Sequence, residues 1–187
     1  MKGAAHEFVR DLLFTAGLFG FVTFVWSGWA QEGPPSTAAR IYLGGMSVIG
    51  AAVAGIGLYN GIMIWGSGSS MVFGEASFTT YLVMCVLELV AAVVAAIVLK
   101  RRDQMKWFAP TLLLIVGIHF APMGWVFQLP VMYVVTGLII IAALAAFKLP
   151  HEKNEPSFWC GALAAPIFLA AAIPSLVIGL SRLSEVA

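Results

Sequence analysis

Residues 107–127 read Trp-Phe-Ala-Pro-Thr-Leu-Leu-Leu-Ile-Val-Gly-Ile-His-Phe-Ala-Pro-Met-Gly-Trp-Val-Phe, a run without one Asp, Glu, Lys or Arg. Roughly 18 or more apolar residues, coiled as an α-helix, match the hydrocarbon thickness of a bilayer. This run therefore decides the fold class. Its one ionisable side chain, His119, lies about 12 residues in, or roughly 18 Å along the axis at 1.5 Å per residue, close to mid-membrane. Pro122 has no N–H, so the carbonyl of Ile118, four residues earlier, loses its helical partner. An imidazole, a freed carbonyl and Gly117 thus fall within two turns at membrane depth, where a polar ligand could be held.

Outward from this run the pattern repeats. The chain has 187 residues, 61% of them hydrophobic and 10% charged, with a mean hydropathy of +0.97. Soluble domains carry about 25% charge. The apolar runs use up nearly the whole length, which predicts one all-α transmembrane domain over residues 1–187. Its six helices are expected over about 11–30, 40–65, 78–99, 107–127, 131–149 and 157–180. A net charge of +1, without basic residues interleaved with aromatics, argues against nucleic acid as a partner. The partner that composition names is the lipid bilayer. Cys85 and Cys160 sit in or beside apolar segments with no C-x-x-C spacing, and read as inert thiols.

In the first span, Gly28-Trp29-Ala30 has the small-x-small form of a cleavage site. The apolar stretch before it exceeds the 7–15 residues of a signal h-region, so a retained helix is expected, with Trp26 and Trp29 as interfacial anchors. The second span carries Ser47, Gly50, Ala54, Gly57 and Gly61 at steps of three and four. That small-residue stripe lets two helix backbones approach closely, the partner helix being in the same chain, a second copy or another membrane protein. Asn60, on another face, needs a hydrogen-bond partner at depth. Gly66-Ser67-Gly68-Ser69-Ser70 reads as a hinge. In the third span Tyr81, Cys85 and Glu88 are spaced i, i+4, i+7 and share one face. Glu88 is the only charged residue expected deep inside a span.

Gln128-Leu129-Pro130 allows only a tight turn, making spans four and five an antiparallel hairpin with Tyr133 and Thr136 as polar positions. Pro166 and Pro174 fall inside the sixth span. No internal repeat relates the two halves, so an inverted-repeat architecture is not supported. Six spans place Arg40, Lys100, Arg101, Arg102, Lys106, Lys148 and Lys153 on one side and Lys2, Arg10 and Arg182 on the other. The positive-inside rule puts the first set in the cytoplasm and both termini outside, in the inner or plasma membrane of a bacterium.

A carboxylate at membrane depth is expensive and is by default a functional hypothesis. His119 is its natural partner if spans three and four pack together. Histidine titrates near neutral pH, so the pair would carry a proton there. Asn60, Tyr81, Tyr133 and Gln128 would complete a polar pocket. The plainer reading is that Glu88 and His119 satisfy each other as interhelical glue. One His and one Glu fall short of the three protein ligands of a catalytic zinc, and no metal, haem or other cofactor is expected. No G-x-S-x-G elbow is present. Three functions follow: a small-solute or proton-linked transporter or channel using Glu88 and His119; an accessory subunit docking through the Ser47–Gly61 stripe; and an intramembrane enzyme on an apolar substrate, with a non-enzyme preferred. Gly117-x-His119-Phe120-x-Pro122, continuing to Trp125, Phe127 and Tyr133, resembles small uncharacterised bacterial polytopic membrane-protein families carrying a Gly-x-His-aromatic-x-Pro run. That resemblance implies no activity.

Overall fold

The computed structural model describes residues 8–151 and 154–186. Lys2, His6 and Lys153 lie outside the described residues. Six long helices follow one another: α1 (Val9–Trp29), α2 (Thr37–Met63), α3 (Ala76–Arg101), α4 (Phe108–Val126), α5 (Val131–Lys148) and α6 (Pro156–Ser181). All six are long and apolar enough to cross a membrane, and the described residues contain no strand. The chain is an all-α, multi-pass integral membrane protein. Helix ends fall where local chemistry sets them. Ser36 caps α2 by accepting the Ala39 N–H at 3.2 Å, and Pro156, whose missing N–H costs nothing there, opens α6. The tight turn after α4 holds Gln128 at φ +54°.

α1 is the hub, packed between α2 and α6, while α4 pairs with α5 and α5 with α6. The small-residue stripe of α2 lies on α1 of the same chain. A Cβ on Gly57 would come within 2.7 Å of the Gly17 nitrogen and 2.8 Å of the Leu13 oxygen; one on Gly50 would lie 2.8 Å from the Gly20 oxygen. Ala54 is buried beside Gly20, and the Phe14 ring covers Gly61. Ser47 completes the seam with a 2.8 Å hydroxyl contact to Ser27. Dispersion between closely apposed backbones is what holds helices together where lipid removes the hydrophobic drive. The stripe is therefore occupied within the chain. On the opposite side of α1, a Cβ on Gly161 of α6 would collide with the Trp26 carbonyl.

Phe19, Phe120 and Phe168 from α1, α4 and α6 form the centre of the bundle, with ring centroids 5.2 to 5.7 Å apart. Trp26 belongs to this interior, being 4% exposed. It is not an interfacial anchor, because α6 closes over it. Trp29 stacks on it at 5.4 Å and donates to Glu32 at 3.2 Å. Pro166 deprives the Ala162 carbonyl of its helical donor, and the Tyr42 hydroxyl of α2 fills that place at 3.4 Å.

Two segments differ from the sequence reading. Residues 66–70 are not a plain hinge: Ser69 Oγ donates to Asp11 Oδ1 at 2.7 Å, and the Ser70 N–H and hydroxyl donate to Asp11 Oδ2 at 2.7 and 2.6 Å. Asp11 is only 5% exposed, so a charged side chain at a span end, in the first turn of α1, is enclosed as well. α3 is the second surprise. It rests chiefly on α4, and none of its residues is buried, leaving its apolar face to lipid.

Candidate functional site

Helices α1, α3 and α4, with Met132 of α5, meet around a cavity of about 320 Å³. From α3 come Tyr81, Cys85 and Glu88, stacked on one face by their i, i+4, i+7 spacing. From α4 come Leu112, Val116, His119, Phe120, Met123 and Phe127, again one helical face. α1 supplies Leu18, Phe21, Val22, Val25, Trp26 and Trp29. Glu88 lies 12 residues into α3, about 18 Å along its axis, level with the middle of the bundle. The walls are otherwise almost wholly apolar.

His119 Nδ1 lies 3.1 Å from Glu88 Oε2 and 3.3 Å from the backbone oxygen of Met84. A carbonyl only accepts hydrogen bonds, and so does a carboxylate when ionised. A hydrogen bond to the Met84 carbonyl thus requires the proton on Nδ1, and the same tautomer suits an ionised Glu88. In the neutral imidazole this leaves Nε2 with its lone pair and with no hydrogen-bond partner among the described residues. The side chain of Glu88 remains 29% exposed and that of His119 11%. The pair is thus reachable from the cavity, and the carboxylate orients the imidazole as second partners commonly orient functional histidines.

A second cavity of about 440 Å³ adjoins the first towards the start of α1. The two share the side chains of Leu18, Phe21, Tyr81, Phe127 and Met132. Its far end holds Arg10, Asp11 and Trp65. The Arg10 guanidinium donates to the Trp65 carbonyl and lies 5.2 Å from the centre of that ring. Together the cavities run along α1 from Arg10 to Trp29, about 28 Å of helix at 1.5 Å per residue.

The other residues expected at this site lie elsewhere. Asn60 donates to Ile56 O of its own helix at 2.8 Å, satisfying itself without a neighbour. Tyr133 is 52% exposed and packs its ring over Gly124. Gln128 is exposed in the α4–α5 turn, held there by its left-handed backbone. Ile118 is exposed, and neither it nor Pro122 lines either cavity. The described residues contain no cluster of three or more His, Cys, Asp or Glu side chains placed to hold a metal ion. Asp11 with its serine donors is the polar cluster that sequence reasoning missed. Its signal was there: a carboxylate and a run of serines predicted on the same membrane side.

Compared with known proteins, the chain matches no family model, no curated protein and no solved structure.

Proposed function

We propose that this integral membrane protein is a proton-linked carrier for a largely apolar solute, with Glu88 and His119 as the proton-holding pair. The observation that carries this reading is the 3.1 Å Nδ1–Oε2 contact in the wall of an apolar cavity at mid-bundle. Glue between two helices needs no cavity, yet here Glu88 and His119 both line one. The adjoining cavities give a solute room along α1. The docking-subunit reading loses its support, because the stripe it relied on packs against α1. For orientation, the side bearing Lys100 to Lys106 is assigned to the cytoplasm on its positive charge, with both termini outside.

Proteoliposomes loaded with pyranine, with the membrane potential clamped, test the proposal by reporting proton movement after a pH step. The wild-type chain is expected to move protons faster than protein-free vesicles, and Glu88→Gln or His119→Ala to abolish the difference. If folded variants and wild type give the same trace as empty vesicles, the reading is wrong.

A further inference from the structure

We infer that the solute is a lipid-soluble phenol or quinol, with its ring in the cavity beside His119 and its apolar tail in the adjoining one. This rests on the reading of Glu88–His119 as the ligand-facing pair and adds the ligand class. The first argument is the tautomer. Nδ1 faces two oxygens, Met84 O at 3.3 Å and Glu88 Oε2 at 3.1 Å, which favours the tautomer protonated there, and in that tautomer the neutral ring offers an acceptor at Nε2. An acceptor in an apolar wall selects a ligand with a hydroxyl donor and disfavours one that presents only a carbonyl, since two lone pairs would then face each other.

The second argument is the lining. Phe21, Trp29, Tyr81, Phe120 and Phe127 surround the same space. Aromatic side chains favour flat rings in offset or edge-on contact, and about 320 Å³ lies at the lower end of small-molecule sites, roughly 300 Å³ upward. The third argument is access. α3 buries no residue, and Leu18 and Phe21 of the shared wall are outward-facing, so the cavities open sideways to the bilayer. A ligand dissolved in lipid reaches such a site directly. The second cavity, about 440 Å³ and again apolar apart from its end at Arg10 and Asp11, supplies the room for a tail. The proposal concerns binding and proton exchange only. The ligand hydroxyl donates to Nε2, and the proton it gives up is held on the imidazole while the oxygen keeps the bonding pair.

Trp26 and Trp29 line the ring cavity and provide a fluorescence readout in the purified full chain. The probes are decylubiquinol, decylubiquinone, the same quinol ring without its tail, and palmitate, all at pH 8 in detergent. Saturable quenching by the quinol is expected, with the quinone binding about tenfold more weakly, the worth of one hydrogen bond. Cys85, which lines the cavity, should be alkylated more slowly by N-ethylmaleimide when the quinol is bound, whereas Cys160 is fully buried and stays unreactive. His119→Ala should remove the quinol–quinone difference. Met71→Trp, which fills the second cavity, should weaken the decyl compound and leave the tailless ring unchanged. Equal binding of quinol and quinone by the wild-type chain overturns the inference, even if the His119 variant fails to fold. So does displacement of the quinol by palmitate, which would assign the groove to anionic single-chain lipids. If the quinol fails to bind while pyranine still reports protein-dependent proton movement, only the ligand class is wrong. If it binds as expected and no protons move, the carrier function is wrong instead.

Discussion

Replacing Asp11 tests how the start of α1 is held. Its carboxylate accepts three hydrogen bonds of 2.6 to 2.7 Å from Ser69 and Ser70, and it is 5% exposed. Hydrogen bonds to a charged group contribute about 1.5–3 kcal/mol each, but the sum overstates the loss. In Asp11→Ala the two serine hydroxyls can rotate towards water or backbone carbonyls. The Ser70 N–H cannot rotate, and because it is only half-buried its loss costs about 1 kcal/mol, the lower end for an unsatisfied buried donor. Adding the lost attraction of one bond to a charged group, about 1.5–3 kcal/mol, gives a destabilisation of about 2.5–4 kcal/mol. Asp11→Asn keeps one acceptor oxygen and the shape, and should cost roughly half as much. The assay is alkylation of Cys160 by a thiol-reactive fluorophore during heating, in a Cys85→Ala background, because Cys160 is buried until α6 leaves the bundle. A double-mutant cycle with Ser70→Ala should give coupling of at least about 0.5 kcal/mol. Should both Asp11 variants melt with the parent, the Gly/Ser segment is not anchored through this carboxylate.

Three further outcomes follow from the packing. Gly57→Ala should destabilise by about 1–3 kcal/mol, the usual cost of forcing atoms into a filled space, since its Cβ would press on the Gly17 and Leu13 backbone. Gly55→Ala, with nothing within 4 Å of the added carbon, should leave the same melting curve unchanged. Tyr42→Phe removes the donor to the Ala162 carbonyl freed by Pro166, and thermal unfolding should show a loss of about 0.5–1.5 kcal/mol; Tyr59→Phe is the matched control. Nitrogen-15 NMR of labelled histidine should find the neutral His119 ring protonated at Nδ1, and a spectrum with the proton on Nε2 would contradict the contact with Met84 O.

Much of this architecture was legible because hydropathy and length measure what a bilayer demands. The span expected at about 78–99 is α3 from Ala76 to Arg101, and that at about 157–180 is α6 from Pro156 to Ser181. Helical spacing also carried the site's first face, since Tyr81, Cys85 and Glu88 must share a side of any regular helix. Spacing within one helix says nothing about which neighbour that side meets. Asn60 looked like pocket chemistry by residue type alone, yet a carbonyl one turn back satisfies it. Gln128 looked equally suitable, but the turn that reverses the chain directs it outward. Asp11 was hidden for the opposite reason. A carboxylate at a span end reads as solvated, and only the folding-back of Ser69 and Ser70 encloses it. The partner of the α2 stripe was open from sequence because glycine spacing records close approach and not the identity of the approaching helix.

The position of α1 between α2 and α6 has a consequence for biogenesis. α1 and α2 are neighbours in the chain and can pair as soon as both have entered the membrane. The opposite flank of α1, at Trp26, is covered only when α6 arrives with Gly161. Domains generally fold as units while synthesis proceeds from the N-terminus, but here α1 packs on a helix made well after it, the sixth of the described spans. Chains arrested before α6 should therefore leave the Trp26 flank of α1 without the contact that Gly161 makes with it.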